Sequence, residues 1–131
     1  MLTKFSEKAQ KLIVIGESIA FDLGHANMGS EHLLLSVMKT KDNPLYPLLE
    51  NYHLKEEKMR EDLIRLFGQN QMQPFYMEYT SNMRSILDHA IKYSYEHQEK
   101  KVSVEALCLA LITKEDAVAN ELLKKYGVDL I

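Results

Sequence analysis

The 131-residue chain predicts an all-α fold of two tandem four-helix-type repeats packed about a pseudo-two-fold axis. Three observations carry that prediction. Apolar residues recur at three- and four-residue intervals, the spacing of one helix face. No run of alternating β-branched residues lies between turn signals, so no strand pattern competes. The two halves also match without a gap at a constant offset of 74 positions: Phe5-Ser6 with Tyr79-Thr80, Glu31-His32-Leu33-Leu34-Leu35 with Glu105-Ala106-Leu107-Cys108-Leu109, Asp42 with Asp116, Leu48-Leu49 with Leu122-Leu123, and Tyr52 with Tyr126. The expected division is a first repeat over 5–68, a linker over 69–78 and a second repeat over 79–131, within one domain.

Ser6 is a good N-cap, and the stripe Ala9, Leu12, Ile13, Gly16, Ala20 and Leu23 gives the first helix, with Gly24 placed to supply a left-handed stop. A second helix begins near Gly29-Ser30. Leu33, Leu34, Leu35, Val37 and Met38 occupy nearly every side of it, so it should lie in the core. Asp42-Asn43-Pro44 offers a cap and a first-turn proline for a third helix with Leu45, Leu48, Leu49 and Tyr52 on its apolar face, Pro47 lying in or near the first turn. A fourth helix runs from about Lys55 to Phe67 with Met59, Leu63, Leu66 and Phe67 inward, and Gly68 stops it.

The polar run Gln69-Asn70-Gln71-Met72-Gln73-Pro74 reads as a linker, after which the pattern restarts. Thr80 caps a helix with Met83, Ile86, Leu87, Ala90 and Ser94 in the stripe. Ser103 opens an all-round apolar helix to Ile112, and Asp116 opens another with Val118, Leu122 and Leu123 before Tyr126-Gly127. About seven helices are expected, because the chain stops where the second repeat's last helix would begin. Two fully apolar short helices bury themselves most simply against each other.

Hydrophobic residues at 46% suffice for one compact core. A net charge of −3, with Lys and Arg scattered among as many acids, supplies no nucleic-acid footprint. Cys108, the single cysteine, sits in an apolar run, which excludes an internal disulfide and marks a core thiol. No signal-length or membrane-length apolar stretch is present, so a cytoplasmic protein without a membrane partner is expected.

Few of the matched residues are polar, which draws attention to the Glu31/Glu105 pair. Each lies in the first turn of a buried helix. One reading is structural: a carboxylate there complements free N–H groups and the helix dipole, contributing about 0.3–1 kcal/mol. The other is functional: a helix start with an adjacent hydroxyl makes an anion site, while the carboxylate can receive a guanidinium through two hydrogen bonds. Such a site favours a ligand carrying both charges.

Phe5-Ser6-Glu7-Lys8-Ala9-Gln10-Lys11, followed by Leu23-Gly24-His25-Ala26-Asn27-Met28-Gly29-Ser30-Glu31-His32-Leu33-Leu34-Leu35, resembles the N-terminal repeat domain of Clp-type AAA+ unfoldases, particularly those of the ClpC kind. The resemblance implies a substrate- and adaptor-receiving domain that is not itself an enzyme, feeding an ATPase ring and, through it, a ClpP-type protease. It further implies recognition of phosphoarginine on client proteins and docking of adaptors of the MecA kind. Carried over by position, Glu31 and Glu105 would hold the guanidinium, with Ser30 and the backbone of Gly29 to Glu31 facing the first phosphate and Ser103 available at the second. No cofactor or metal is implied. The isolated domain is expected to be a monomer, either part of a full unfoldase or a stand-alone regulatory relative.

The second repeat departs from this pattern. Val104 replaces the hydroxyl residue beside the glutamate, Ala106 replaces histidine, and Gln98 takes the place of Gly24. Ser103, Lys100 and Lys101 remain as phosphate partners, so the first site is expected to bind and the second to be weak or altered. His25 and His32 flank the first site without metal-ligand spacing, which gives them packing or hydrogen-bonding roles. Met28, Met72 and Met77 are the methionines expected to be exposed. Phe75, Tyr76 and Tyr79 form an aromatic cluster at the linker exit that either packs across the repeat boundary, the favoured outcome, or lines a peptide groove. There is no glycine-rich phosphate loop, nucleophile elbow, or clustered acid, base and nucleophile to support catalysis.

Overall fold

In the computed structural model, which describes residues 2–130, Ser6 and Thr80 cap two equivalent helices of 16 residues each: α1 (Glu7–Asp22) and α5 (Ser81–Glu96). The Ser6 hydroxyl accepts from the Ala9 N–H at 3.2 Å and the Thr80 hydroxyl from the Met83 N–H at 3.1 Å. Each long helix packs along the buried helix that follows it, α2 (Ser30–Thr40) or α6 (Val104–Thr113). The short helices α3 (Tyr46–Glu50) and α7 (Val118–Lys125) come next, and α4 (Glu56–Phe67) completes the first half. No counterpart of α4 follows α7 among the described residues.

Two parallel strand contacts join the halves reciprocally. In the first, β1 (Asn27–Met28) pairs with β2 (Glu78–Tyr79); in the second, Phe5 pairs with Val102. The repeat offset exchanges Met28 with Val102 and Tyr79 with Phe5, so the two contacts are one contact seen from either side of the pseudo-two-fold axis. The hydrogen bonds obey the same exchange: Thr80 N–H donates to the Met28 carbonyl and Ser6 N–H to the Val102 carbonyl, both at 2.9 Å. Strands this short carry no alternation to read, which is why the sequence shows only helices.

The core runs continuously through both halves, with α2 at its centre touching α1, α3, α4, α5 and α7. Every residue of α2 from Ser30 to Met38 is buried. In contrast to the all-round burial expected for α6, Glu105 is exposed and Leu109 is 39% exposed. The counterpart of Leu109 is Leu35, 1% exposed; α4 lies on α2, and among the described residues no equivalent helix lies on α6. Cys108 is a core thiol as expected, its ionisation pushed up to about 12 by burial.

Several boundaries and faces differ from expectation. Pro44 lies ahead of α3 and Pro47 within its first turn. The Asn43 side chain caps that helix, its Oδ1 accepting from Leu45 N–H at 3.1 Å and Tyr46 N–H at 2.9 Å. Leu45 and Leu49 face the core, while Leu48 and Tyr52 are partly exposed, because a helix of little more than one turn buries a single edge. In α4, Met59, Asp62 and Leu63 face inward, and Leu66 and Phe67 are about half exposed. Asp62 is the tie to the other half: its carboxylate accepts from the Tyr126 hydroxyl and pairs with Arg65 at 2.7 Å. Asp116 does not cap α7; Ala117 occupies that position, and Asp116 pairs with Lys114 in the preceding turn.

The linker is clasped to the first half at its start. Asn70 donates from its backbone to the Leu23 carbonyl and from its side chain to the Gly24 carbonyl. Gly24 has φ +72°, and a Cβ there would also fall 2.3 Å from the Asn70 carbonyl oxygen, so glycine is required twice over. Its counterpart Gln98 also adopts a positive φ, +59°.

Candidate functional site

The reciprocal strand contacts place four helix N-termini in two pairs. The Met28–Tyr79 contact brings the start of α2 beside the start of α5, and the Phe5–Val102 contact brings α6 beside α1. Helix starts carry N–H groups without intrahelical partners and the positive end of the helix dipole, so each pair concentrates anion-attracting groups. A side chain braces each turn in the same way: Arg84 donates to the Tyr79 carbonyl and Gln10, at the equivalent position, to the Phe5 carbonyl, both at 2.9 Å.

Within the first pair, Glu31 is turned inward. It is 8% exposed, and its carboxylate folds over Gly29, where a Cβ would fall 2.2 Å from Oε1. Burial raises its carboxyl above the ordinary range, against the opposing effects of its own backbone N–H and of His25. His32 and His25 form a directed chain beside it. Gly29 N–H donates to His32 Nδ1 at 2.9 Å, which leaves His32 Nε2 to donate to His25 Nδ1 at 2.9 Å and His25 Nε2 to donate to the Gly68 carbonyl at 2.8 Å. Burial, with a smaller contribution from His25, holds the His32 ring down to about 3, so it is neutral. The hydrogen-bonding roles expected of both histidines are those observed.

Ser30 is 1% exposed and faces the other repeat, its hydroxyl accepting from Ala119 N–H at 3.0 Å. This contact supplies α7 with the cap that Ala117 cannot give. The equivalent of Ala117 in the first repeat is Asn43, and that of Ser30 in the second is Val104; Asn43 caps α3 from within its own half. The Ser30/Val104 and Asn43/Ala117 differences are thus two parts of one exchange, and the offset alignment held the signal for it.

The second pair is open. Glu105 is exposed, as are Lys4, Lys100 and Lys101, with the Lys101 ammonium donating to the Thr3 carbonyl at 2.6 Å. Ser103 caps α6 by accepting from Ala106 N–H at 3.1 Å and donates to Glu99 at 3.3 Å. The five predicted residues therefore fall into two groups in two settings: Gly29, Ser30 and Glu31 enclosed, Ser103 and Glu105 at the surface.

The aromatic cluster splits. Tyr79 packs against the core and donates to Glu17 Oε1 at 2.8 Å, bridging the repeats. Phe75 and Tyr76 do not pack; both are largely exposed and line an open cleft of about 290 Å³ with Pro74, Ala26, Asn27 and Glu78. Met77, expected at the surface, is partly buried against the core, as is Tyr79, while Glu78 between them is exposed. Met28, expected at the surface, is fully buried with its methyl group against Gly16, while Met72 is exposed. No described helix is long and apolar enough to cross a membrane.

Comparison with known proteins gives a consistent result. The family model of the Clp repeat (R) N-terminal domain matches residues 4–126. The ATP-dependent Clp protease ATP-binding subunit ClpC of Staphylococcus saprophyticus is 29% identical over 127 residues, 97% of this chain and 16% of that protein. The negative regulator of genetic competence ClpC/MecB of Bacillus subtilis is 28% identical over 130 residues, 99% and 16% of the respective chains. The chain thus spans about a sixth of the length of these relatives. Among solved structures, the N-terminal domain of ClpD from Arabidopsis thaliana superposes with a TM-score of 0.78 at 21% identity, covering 98% of this chain and 91% of that one. A complex of a ClpV N-domain with VipB peptide superposes at 0.72 and 16% identity, covering 96% and 79%. At these identities the structures establish the fold.

Proposed function

The chain belongs to the Clp repeat (R) N-terminal domain family, and from that premise we propose that it receives client proteins and adaptors for a Clp-type ATPase in the cytoplasm, with phosphoarginine on the client as the recognised mark. The observation that carries this reading is the pairing of helix N-termini by reciprocal strand contacts, each pair holding one of the duplicated glutamates. A phosphoryl group suits the free N–H groups and nearby lysines, and a guanidinium suits the carboxylate. The second pair offers both kinds of partner at the surface: Glu105 for the guanidinium, and Lys4, Lys100, Lys101 and the α6 start at Ser103 for the phosphoryl group. The first pair offers Glu31 and the backbone of Gly29 to Glu31, with the Ser30 hydroxyl directed to α7.

The role assigned is binding. ATP hydrolysis, unfolding and delivery to a ClpP-type protease belong to other modules and subunits, and adaptors of the MecA kind would dock on the same surface. A peptide complex of a ClpV N-domain is a precedent within the fold for polypeptide capture. Calorimetric titration with free phosphoarginine, alongside arginine and inorganic phosphate, tests the ligand. Saturable binding of phosphoarginine alone, weakened at least tenfold by Glu105→Ala, is expected. Absence of binding removes phosphoarginine from the proposal.

A further inference from the structure

The two glutamates occupy equivalent positions on equivalent helices, yet one is buried and the other exposed. Their own helices do not account for this, since both are in the first turn and both have a buried residue on each side, Ser30 and His32 or Val104 and Ala106. The difference lies two residues back. Position 29 is glycine, and the three atoms nearest to a Cβ built there all belong to the Glu31 carboxylate, at 2.2, 2.8 and 2.9 Å. Position 103 is serine, whose Cβ and hydroxyl occupy the corresponding space and cap Ala106.

We infer that Gly29 is the positioning residue of the first site: by leaving room over the α2 start, it lets the Glu31 carboxylate fold back into the place an incoming anion would take. The first site is therefore self-closed and Ser103 keeps the second site open, which reverses the order expected from the sequence, where the first site binds and the second is weak or altered. This assignment rests on the proposed ligand reading only for its consequence in binding; the placement of the carboxylate stands on the geometry alone. Gly29 has φ −114° and ψ −178°, extended backbone that any residue adopts, and the closest contacts of an added Cβ are with the far end of the flexible Glu31 side chain. Substitution at 29 should therefore move Glu31 and leave the fold intact.

Gly29→Ala and Gly29→Ser, followed by carboxyl carbon NMR through an acid titration, read the carboxylate directly. The Glu31 midpoint is expected to fall in both variants, since the carboxylate leaves its buried place. A Glu31 midpoint that does not move in a variant with unchanged helicity overturns the inference. Phosphoarginine titration supplies a second reading: one equivalent bound by the wild type and two by Gly29→Ser are expected. Two equal sites already in the wild type would overturn the self-closed state. If no phosphoarginine binds to either protein, the ligand proposal fails, and the carboxyl titration still decides the role of Gly29.

Discussion

Helices α2 and α6 descend from the same stretch of sequence, and they differ most at Glu31 against Glu105 and at Leu35 against Leu109. The first member of each pair is buried and the second exposed. The residue types are identical, so intrinsic hydrophobicity explains neither difference. Leu35 lies on the helix that α4 covers, and Glu31 is enclosed because Gly29 lets it return over its own helix start. Burial is here a property of what the neighbours supply, and a duplicated unit becomes asymmetric when one copy has an extra cover and one small residue.

Acid should separate the two halves most strongly, through His32, whose counterpart Ala106 cannot titrate. Its folded-state value of about 3 lies below the ordinary 6.5, so the unfolded chain binds the extra proton in that window. Stability from this residue is fully present above about pH 6.5 and is lost as pH falls toward 3, at up to about 1.4 kcal/mol per pH unit. Urea unfolding across this range should show the excess slope in the wild type and its loss in His32→Ala. Equal slopes would mean that the ring is solvated.

Next in size is the cover on α2. Leu35→Ala should cost about 2–5 kcal/mol in urea unfolding, the usual range for a buried leucine, and Leu109→Ala well under half as much. Similar losses would show that α4 does not make the difference.

The exchanged caps come third. Ser30→Ala and Asn43→Ala should each cost about 1 kcal/mol, with the first speeding hydrogen exchange at Ala119 and the second at Tyr46. Ala117→Asn placed in the Ser30→Ala background should restore most of the loss, since it rebuilds in the second repeat the local cap of the first. Failure to rescue would separate the two differences.

The smallest effect expected is at the glutamates themselves. Because burial raises the Glu31 carboxyl, the folded state favours its neutral form. Stability from this group is present at low pH and declines as pH rises through the raised value. At pH 7, Glu31→Gln should raise the thermal midpoint by a few degrees, on the order of 1 kcal/mol, whereas Glu105→Gln should leave it level or slightly lower through the lost helix-start charge. A destabilised Glu31→Gln would make that carboxylate a structural cap.

Much of this was legible in the chain. Ser6, Thr80 and Ser103 announce their helices because a cap is a local device, and the stripes from Ala9 and from Met83 announce the buried faces. The strand exchange was not legible, since two paired residues leave no period. The role of Ser30 was hidden because its partner, Ala119, lies 89 positions away in sequence. Leu66 and Phe67 continued the apolar spacing of α4 beyond the part of the helix that is covered. The site residues were found by type and position, but their depths depend on a missing Cβ at 29 and on packing across the repeat boundary.

The strand exchange bears on how such a protein arises. Each half leaves the backbone before its buried helix unpaired until the other half supplies Phe5 or Tyr79, so a single repeat has no complete set of partners of its own. Two free copies would satisfy each other through the same contacts, related by a true two-fold axis. The present chain has the arrangement of such a dimer made continuous through residues 69–78, and within one chain the two copies can carry different residues: Gly29, Ser30 and Asn43 in the first, Ser103, Val104 and Ala117 in the second.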